Sequence, residues 1–295
     1  AVDAQALHQN TAGWPAGLRL SLVALKTRPG GRRGTLTDRY LFDYLATEVL
    51  DSLPLPLHDF LLRSSVLPVL TATRAAQVTG DTRAADRLDE IERRGLFATL
   101  LDTEERTLVL HDLLRDALAA RLQRLAPDDW VPLLERAAAT EPDAQRRIAY
   151  LLRARSWAAA EEALATAAPE LFVAGGVAEV QRLAQQFGAD WRQRSPRLAR
   201  LEGVVSLLRW DWPRMAQHLA TAAALAEAPD TRNDAERQQA QALLAMALYA
   251  LDRNAESEAL IARLRQETLA PQTRRQMLMA DATQHFRRGQ LDALP

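Results

Sequence analysis

The sequence predicts a mainly α chain interrupted by one β-hairpin, and three observations carry that reading. Apolar residues recur at helical spacing along most of the 295 residues. The period shifts to two over residues 96–102 and 106–111, on either side of a polar turn. Beyond Pro127 no strand pattern returns, and helical stretches follow one another to the end. A chain of this length suggests about two domains.

At the N-terminal end, Pro15 suits the first turn of a helix whose apolar side is Leu18, Leu22 and Leu25, because proline lacks the N–H that such a turn leaves unused. Residues 27–36 combine one proline, three glycines and three arginines without periodicity, which predicts a linker. Thr37 or Asp38 caps a helix over 40–50, with Leu41, Leu45 and Val49 beside Tyr44 on one face. A second helix spans 59–67 and stops before Pro68. A third opens at Thr71 and ends near Gly80. A fourth spans 85–95, with Leu88 and Ile91 inward and Gly95 as its stop. After the hairpin, His111 and Asp112 mark the step into a helix reaching about Leu125. Short helices followed by a two-stranded wing predict a winged-helix domain over 37–126.

From 127 to 295 the expected helices are about 129–139, 143–155, 157–168, 177–187, 196–209, 212–227, 233–251, 254–267 and 271–288. Ser195 and Pro196 form a cap and first-turn pair, and Gly188 and Gly289 punctuate ends. The breaks at Ser156, Asp211, Asp252 and Gly289 are separated by 55, 41 and 37 residues. That period is longer than the roughly 34 residues of a tetratricopeptide unit, and predicts stacked helical hairpins in a tetratricopeptide-like α-solenoid. Ala222, Ala223 and Ala224 are small enough to allow close helix contact.

Composition excludes several classes of chemistry. The single lysine, Lys26, follows Leu25 and cannot complete a phosphate-cradling G-x-x-x-x-G-K-[ST] loop. The glycine cluster Gly30, Gly31 and Gly34 carries Arg32 and Arg33, which cannot take that lysine's role. Zero cysteines remove disulfides, thiolate metal ligands and thiol nucleophiles together. The histidines His8, His58, His111, His218 and His285 form no short-range metal pair, so no metal site is expected. No G-x-S-x-G elbow occurs among the eight serines, and no catalytic residue is assigned. Glu161, Glu162, Glu256 and Glu258 read as solvated helix surface. A net charge of −1 gives no global field for nucleic acid. The candidate recognition helix over 83–94 balances Arg83, Arg87, Arg93 and Arg94 against Asp86, Asp89, Glu90 and Glu92, which argues against DNA contact there. No signal peptide is evident, and the longest apolar run, residues 242–251, is about half a membrane span. The expected setting is cytoplasmic, without membrane partners.

The segments YLFDYLATEVL, DFLLRSSVL, RLDEIERRGLFATLLD and LVLHDLLRDAL resemble, in order, the winged-helix domain of the large ATP-binding LuxR-family transcriptional regulators. The stretch NTAGWPAGLRLSL over 10–22 resembles the lid end of the nucleotide-binding module in these signal-transduction ATPases. There a Gly-x-Pro segment lies against adenine, so Trp14 and Pro15 are implied nucleotide contacts. Leu110, His111 and Asp112 match the family's Met-His-Asp motif, whose histidine reaches the β-phosphate of ADP and holds the inactive state. A helix-capping role for His111 and Asp112 stays open on the residues alone.

The resemblance implies that residues 1–36 are the remnant and linker of the nucleotide-binding module, with 127–295 a truncated sensor. It also implies ATP or ADP with magnesium in the intact protein and no cofactor in this part of it. The implied partners are an inducer or regulatory protein on the superhelix and further copies in the active state, with DNA held by a separate C-terminal helix-turn-helix. Trp210, Trp212, Tyr249 and His285 stand near repeat turns, where aromatics either pack one hairpin on the next or line a ligand groove. The rival reading is a nucleotide-independent helical-repeat interaction scaffold.

Overall fold

A computed structural model describes residues 50, 53–94, 98–102 and 107–287. The expected N-terminal helix, the linker and, apart from Leu50, the helix at 40–50 lie outside the described residues, as do Trp14 and Pro15. The chain divides into two compact units between Glu141 and Pro142. It is mainly α, with a winged-helix unit followed by stacked helical hairpins.

In the first unit, α1 spans Leu55–Ser64, α2 spans Ala72–Thr79 and α3 spans Ala84–Arg93. Helix α1 begins earlier than the expected 59, because Pro54 at its cap and Pro56 in the first turn need no N–H partner. It ends earlier too. Ser64 and Ser65 donate their hydroxyls to the carbonyls of Leu61 and Leu62, at 3.3 and 2.6 Å, and so occupy the last turn's acceptors. Helix α2 has the expected ends: Thr71 accepts from the Arg74 N–H at 3.3 Å, and Gly80 closes it at φ 79°, where a side chain is strained.

The hairpin pairs β1, Ala98–Asp102, with β2, Thr107–Leu110, in antiparallel register, with Ala98 opposite Leu110 and a bulge between Leu100 and Asp102. Leu70 adds a one-residue third strand, exchanging hydrogen bonds of 2.8 and 2.9 Å with Leu108. Helix α4, Asp112–Leu125, buries Leu114, Leu118 and Leu122 at intervals of four. They join a core of Leu57, Phe60, Leu61, Leu67, Leu70, Leu88, Ile91, Leu108 and Leu110.

Helix α5, Pro127–Ala139, packs on α2 and α4. The boundary read at 126/127 therefore differs from the division at 141/142. Polar clamps hold α5 to the unit. The Arg136 Nε donates to the Val78 carbonyl at 2.7 Å, Arg63 meets Asp129 at 2.9 Å, and Arg74 pairs with buried Glu141.

The second unit comprises α6, Ala144–Arg153; α7, Trp157–Val173; α8, Val177–Gln185; α9, Ala189–Arg194; α10, Pro196–Leu208; α11, Trp212–Glu227; α12, Asp234–Ala250; α13, Asn254–Leu264; and α14, Pro271–Arg287. Helix α7 continues through Pro169 to Val173, beyond the expected 168, and the short α9 is an element the periodicity did not predict. Helix α6 packs on α7, α7 on α8, α8 on α10 past the short α9, then α10 on α11, α11 on α12 and α12 on α13, and α14 returns onto α12.

One turn recurs at four helix ends. After α6, α7, α10 and α12, residues Arg155, Gly175, Trp210 and Asp252 take φ values of 56°, 80°, 59° and 59°. In each, the next N–H reaches back five residues: Ser156 to Leu151, Gly176 to Leu171, Asp211 to Ser206 and Arg253 to Leu248. This is the Schellman closure, which satisfies the last carbonyls of a helix. Ser195 caps α10 as expected, accepting from the Leu198 N–H at 3.0 Å.

Small residues set the spacing between helices. Ala199, Ala222, Ala223 and Ala240 form one cluster, whereas Ala224 faces outward. A Cβ on Gly203 of α10 would come within 2.7 Å of Leu219 on α11, so glycine permits that approach. Polar side chains also cross between hairpins. Buried Glu236 of α12 accepts from the Nε of Arg197 at 3.0 Å and of Arg200 at 2.6 Å, both on α10, and Arg197 also pairs with Glu162 of α7.

Candidate functional site

His111 occupies the residue between β2 and α4, flanked by Leu110 and Leu114, both buried. Its carbonyl accepts from the Arg115 N–H at 3.0 Å, which opens the helix, while its side chain is half-buried. Asp112 is exposed at the positive end of α4 and lies 2.8 Å from Arg115 Nη1. The strand and the helix thus fix the pair at one backbone junction, anchored on either side by core leucines.

On α3, the wing unit's candidate recognition helix, Arg83 meets Asp86 at 3.1 Å and Arg94 meets Glu90 at 2.8 Å. Arg87 turns back to Asp81 at 3.1 Å. Burial works to raise the Asp81 carboxyl, but the Arg83 N–H and the Arg87 guanidinium outweigh it and hold the acid below its ordinary value. Guanidinium groups engaged in this way present little free charge to phosphates.

In the second unit, Trp210 and Trp212 meet edge to face, with ring centroids 5.8 Å apart. They part in role. Trp212 packs on the cluster of Met215, Leu219, Leu244 and Leu248, whereas Trp210 is 76 % exposed. Tyr249 is buried, its hydroxyl 3.5 Å from the Gln284 carbonyl, and His285 Nε2 lies 3.6 Å from Asp281. The first two aromatics are brought together, and Tyr249 is brought beside the turn of α14 that carries His285.

A groove of about 200 Å³ opens between α8, α10 and α11. Its floor is Val180, Ala184, Leu201 and Val205, all buried, and its polar lining is Gln181, Glu202, Ser206, Arg209, Asp211, Arg214 and His218. None of the four expected groove aromatics is among its lining residues, although Trp210 stands between lining residues Arg209 and Asp211. The Arg209 guanidinium donates to the Gln181 amide oxygen at 2.6 Å. Arg214 lies 3.5 Å from Asp211, and His218 Nδ1 lies 3.3 Å from Glu202. The expectation of a solvated carboxylate is corrected at half-buried Glu161, which accepts from Trp191 Nε1 at 3.1 Å and from Ser195, whereas Glu162, paired with Arg197, is exposed, as are Glu256 and Glu258. Among the described residues no group of three or more acids and histidines could hold a metal ion, and no helix is long and apolar enough to cross a membrane.

The sequence spacing held a signal for this groove. Asp211, Arg214 and His218 share one face of α11, and Leu201, Glu202, Val205 and Arg209 share one face of α10. Nothing in the spacing says that those two faces converge.

The fold and its junctions define a winged-helix module followed by an array of helical hairpins. Comparison with known families agrees for the first unit. Residues 46–130 match the family described as the MalT winged helix domain, a match that runs through α4 and includes His111 and Asp112.

Proposed function

We propose that this chain is the coupling and sensor region of an ATP-dependent transcriptional activator of the LuxR type. The observation that carries this is the match of residues 46–130 to the MalT winged helix domain, followed by stacked hairpins. In this reading the winged helix couples the nucleotide state of a neighbouring ATP-binding module to the hairpin array, which is tetratricopeptide-like and takes an inducer or regulatory protein. ADP without inducer favours a closed monomer, and ATP with inducer favours self-association. Trp14 and Pro15 lie against the adenine, while His111, beside Asp112, donates to the β-phosphate of ADP in the closed state. DNA contact belongs to a separate helix-turn-helix. The intact protein is a slow switch-type ATPase, and this region performs no catalysis.

The anchoring of His111 between Leu110 and Leu114 supports the switch role, since a core-fixed junction transmits a phosphate contact to both strand and helix. The test is His111→Ala in the protein carrying its nucleotide-binding module. A charge-assisted hydrogen bond is worth about 1.5–3 kcal/mol, so ADP release should quicken by roughly 10- to 150-fold. Transcription should rise without inducer, and stability without nucleotide should hold. Equal loss of stability with and without ADP, with basal transcription unchanged, would reduce His111 to a helix-starting residue.

A further inference from the structure

The four Schellman turns act as internal controls on one another. At the left-handed position they carry Arg155, Gly175, Trp210 and Asp252, so the turn itself does not require an aromatic. A bulky residue there is strained, by about 1–2 kcal/mol relative to glycine. Two residues earlier, the four turns carry Arg153, Val173, Leu208 and Ala250, with Val173 91 % exposed beside Gly175. The α10 turn alone among the four places two large apolar side chains outward, Leu208 at 45 % exposure and Trp210 at 76 %. Between them stands Arg209, on the groove rim. Strain and exposed apolar surface together on the residues flanking a groove call for a role outside the turn.

The groove has an apolar floor and a rim with two guanidinium groups and two carboxylates, Asp211 lying 3.5 Å from Arg214 and Glu202 lying 3.3 Å from His218. Arg209 is held by a neutral amide, which leaves its charge available, and Arg214 is 74 % exposed with its carboxylate neighbour at 3.5 Å. Guanidinium forks match carboxylate geometry in two parallel hydrogen bonds. A volume of about 200 Å³ lies below the roughly 300–1,000 Å³ of sites for drug-sized ligands, which favours a small metabolite over a peptide helix.

We propose that the groove between α8, α10 and α11 binds a small aromatic carboxylate, its apolar body on Val180, Ala184, Leu201 and Val205 and its carboxylate on Arg209 and Arg214, with Trp210 covering the open side. This rests on the reading of the hairpin array as a sensor, and gives that sensor a location and a ligand chemistry. Neither the nucleotide nor His111 takes part in this binding, so the groove and the switch can fail separately.

The test is calorimetric titration of the whole chain with 4-phenylbutyrate, with its uncharged amide 4-phenylbutyramide, and with butyrate, which lacks the ring. The expected result is saturable binding of 4-phenylbutyrate, with the amide and butyrate each at least tenfold weaker. Arg209→Gln should weaken the carboxylate at least tenfold and leave the amide unchanged, and Trp210→Ala should weaken both aromatic ligands severalfold while the melting temperature holds. Equal affinity for carboxylate and amide, an unchanged affinity in Arg209→Gln, or no saturable binding of 4-phenylbutyrate would each overturn the proposal.

Discussion

The two units solve the packing of short helices differently. The wing unit buries Phe60 together with large aliphatic side chains from α1 to α4 and from the hairpin, and the pairs of Arg63 with Asp129 and of Arg74 with buried Glu141 clamp α5. The hairpin unit relies on alanines and Gly203 for close approach, and threads polar groups through its interior: Glu236 to Arg197 and Arg200, Arg237 to Glu267, and Gln284 to Ser257 at 2.6 Å. A core of large side chains is specified by volume, whereas flat alanine interfaces slide easily and gain register from hydrogen-bonded partners with fixed geometry.

Exchanging the kind of damage between the units should break this comparison if it is false. Phe60→Ala removes the largest fully buried side chain among the described residues of the wing unit and should cost about 4 kcal/mol, with hydrogen exchange quickening in that unit first. Equal loss of protection in the hairpin unit would mean that the two do not unfold separately.

In the hairpin unit, Glu236→Gln keeps the shape and removes the charge, leaving two partly buried guanidinium groups without their carboxylate. The expected cost is about 3 kcal/mol, read as a lower melting temperature and faster exchange in α10 and α12. The same group sets a pH dependence. Burial works to raise the Glu236 carboxyl, but hydrogen bonds and charge from Arg200 and Arg197 overcome it, so the folded protein holds this acid below its ordinary value. Its contribution is therefore complete above the unfolded value of roughly 4.3 and is lost as pH falls through the lower folded value. Hairpin-unit stability in wild type should fall over that acid range, and the fall should be shallower in Glu236→Gln. Parallel curves would place the dependence on other carboxylates.

The smallest effect concerns the repeated turns. Arg155→Gly relieves a strained φ of 56° at an exposed position and should stabilise by under about 1 kcal/mol, since glycine also loosens the unfolded chain. Gly175→Ala should destabilise by about 1 kcal/mol for the converse reason. Denaturant midpoints that fail to move in opposite directions would show that the turns are not equivalent.

Much of the architecture could be read from local pattern. Thr71 and Gly80 bracket α2, Ser195 opens α10, and period-two alternation marks the wing, because caps, left-handed glycines and strand alternation act over a few residues. Other features depended on distant partners. The one-residue strand at Leu70 exists because Leu108 faces it, and α5 joins the wing unit because Val78, Asp129 and Glu141 meet arginines there. Three of the four Schellman turns carry Arg, Trp and Asp where glycine is the usual signal, so the breaks at Ser156, Asp211 and Asp252 were legible in the sequence but their turn type was not.

The functional residues divide along the same line. His111 and Asp112 stand out in sequence because they sit at a change of period, from strand to helix, which any reader of periodicity meets. The groove did not stand out. Its floor comes from two helices and its polar rim from three, each with an ordinary 3.6-residue face, and only the packing of α8, α10 and α11 turns those faces toward one space. Sequence by itself determined where helices, wing and caps fall, since those follow from interactions within one turn of chain. Tertiary structure decided which alanine faces meet, which acids are buried against arginine and where a cavity opens, since these depend on side chains many residues apart brought within a few ångströms.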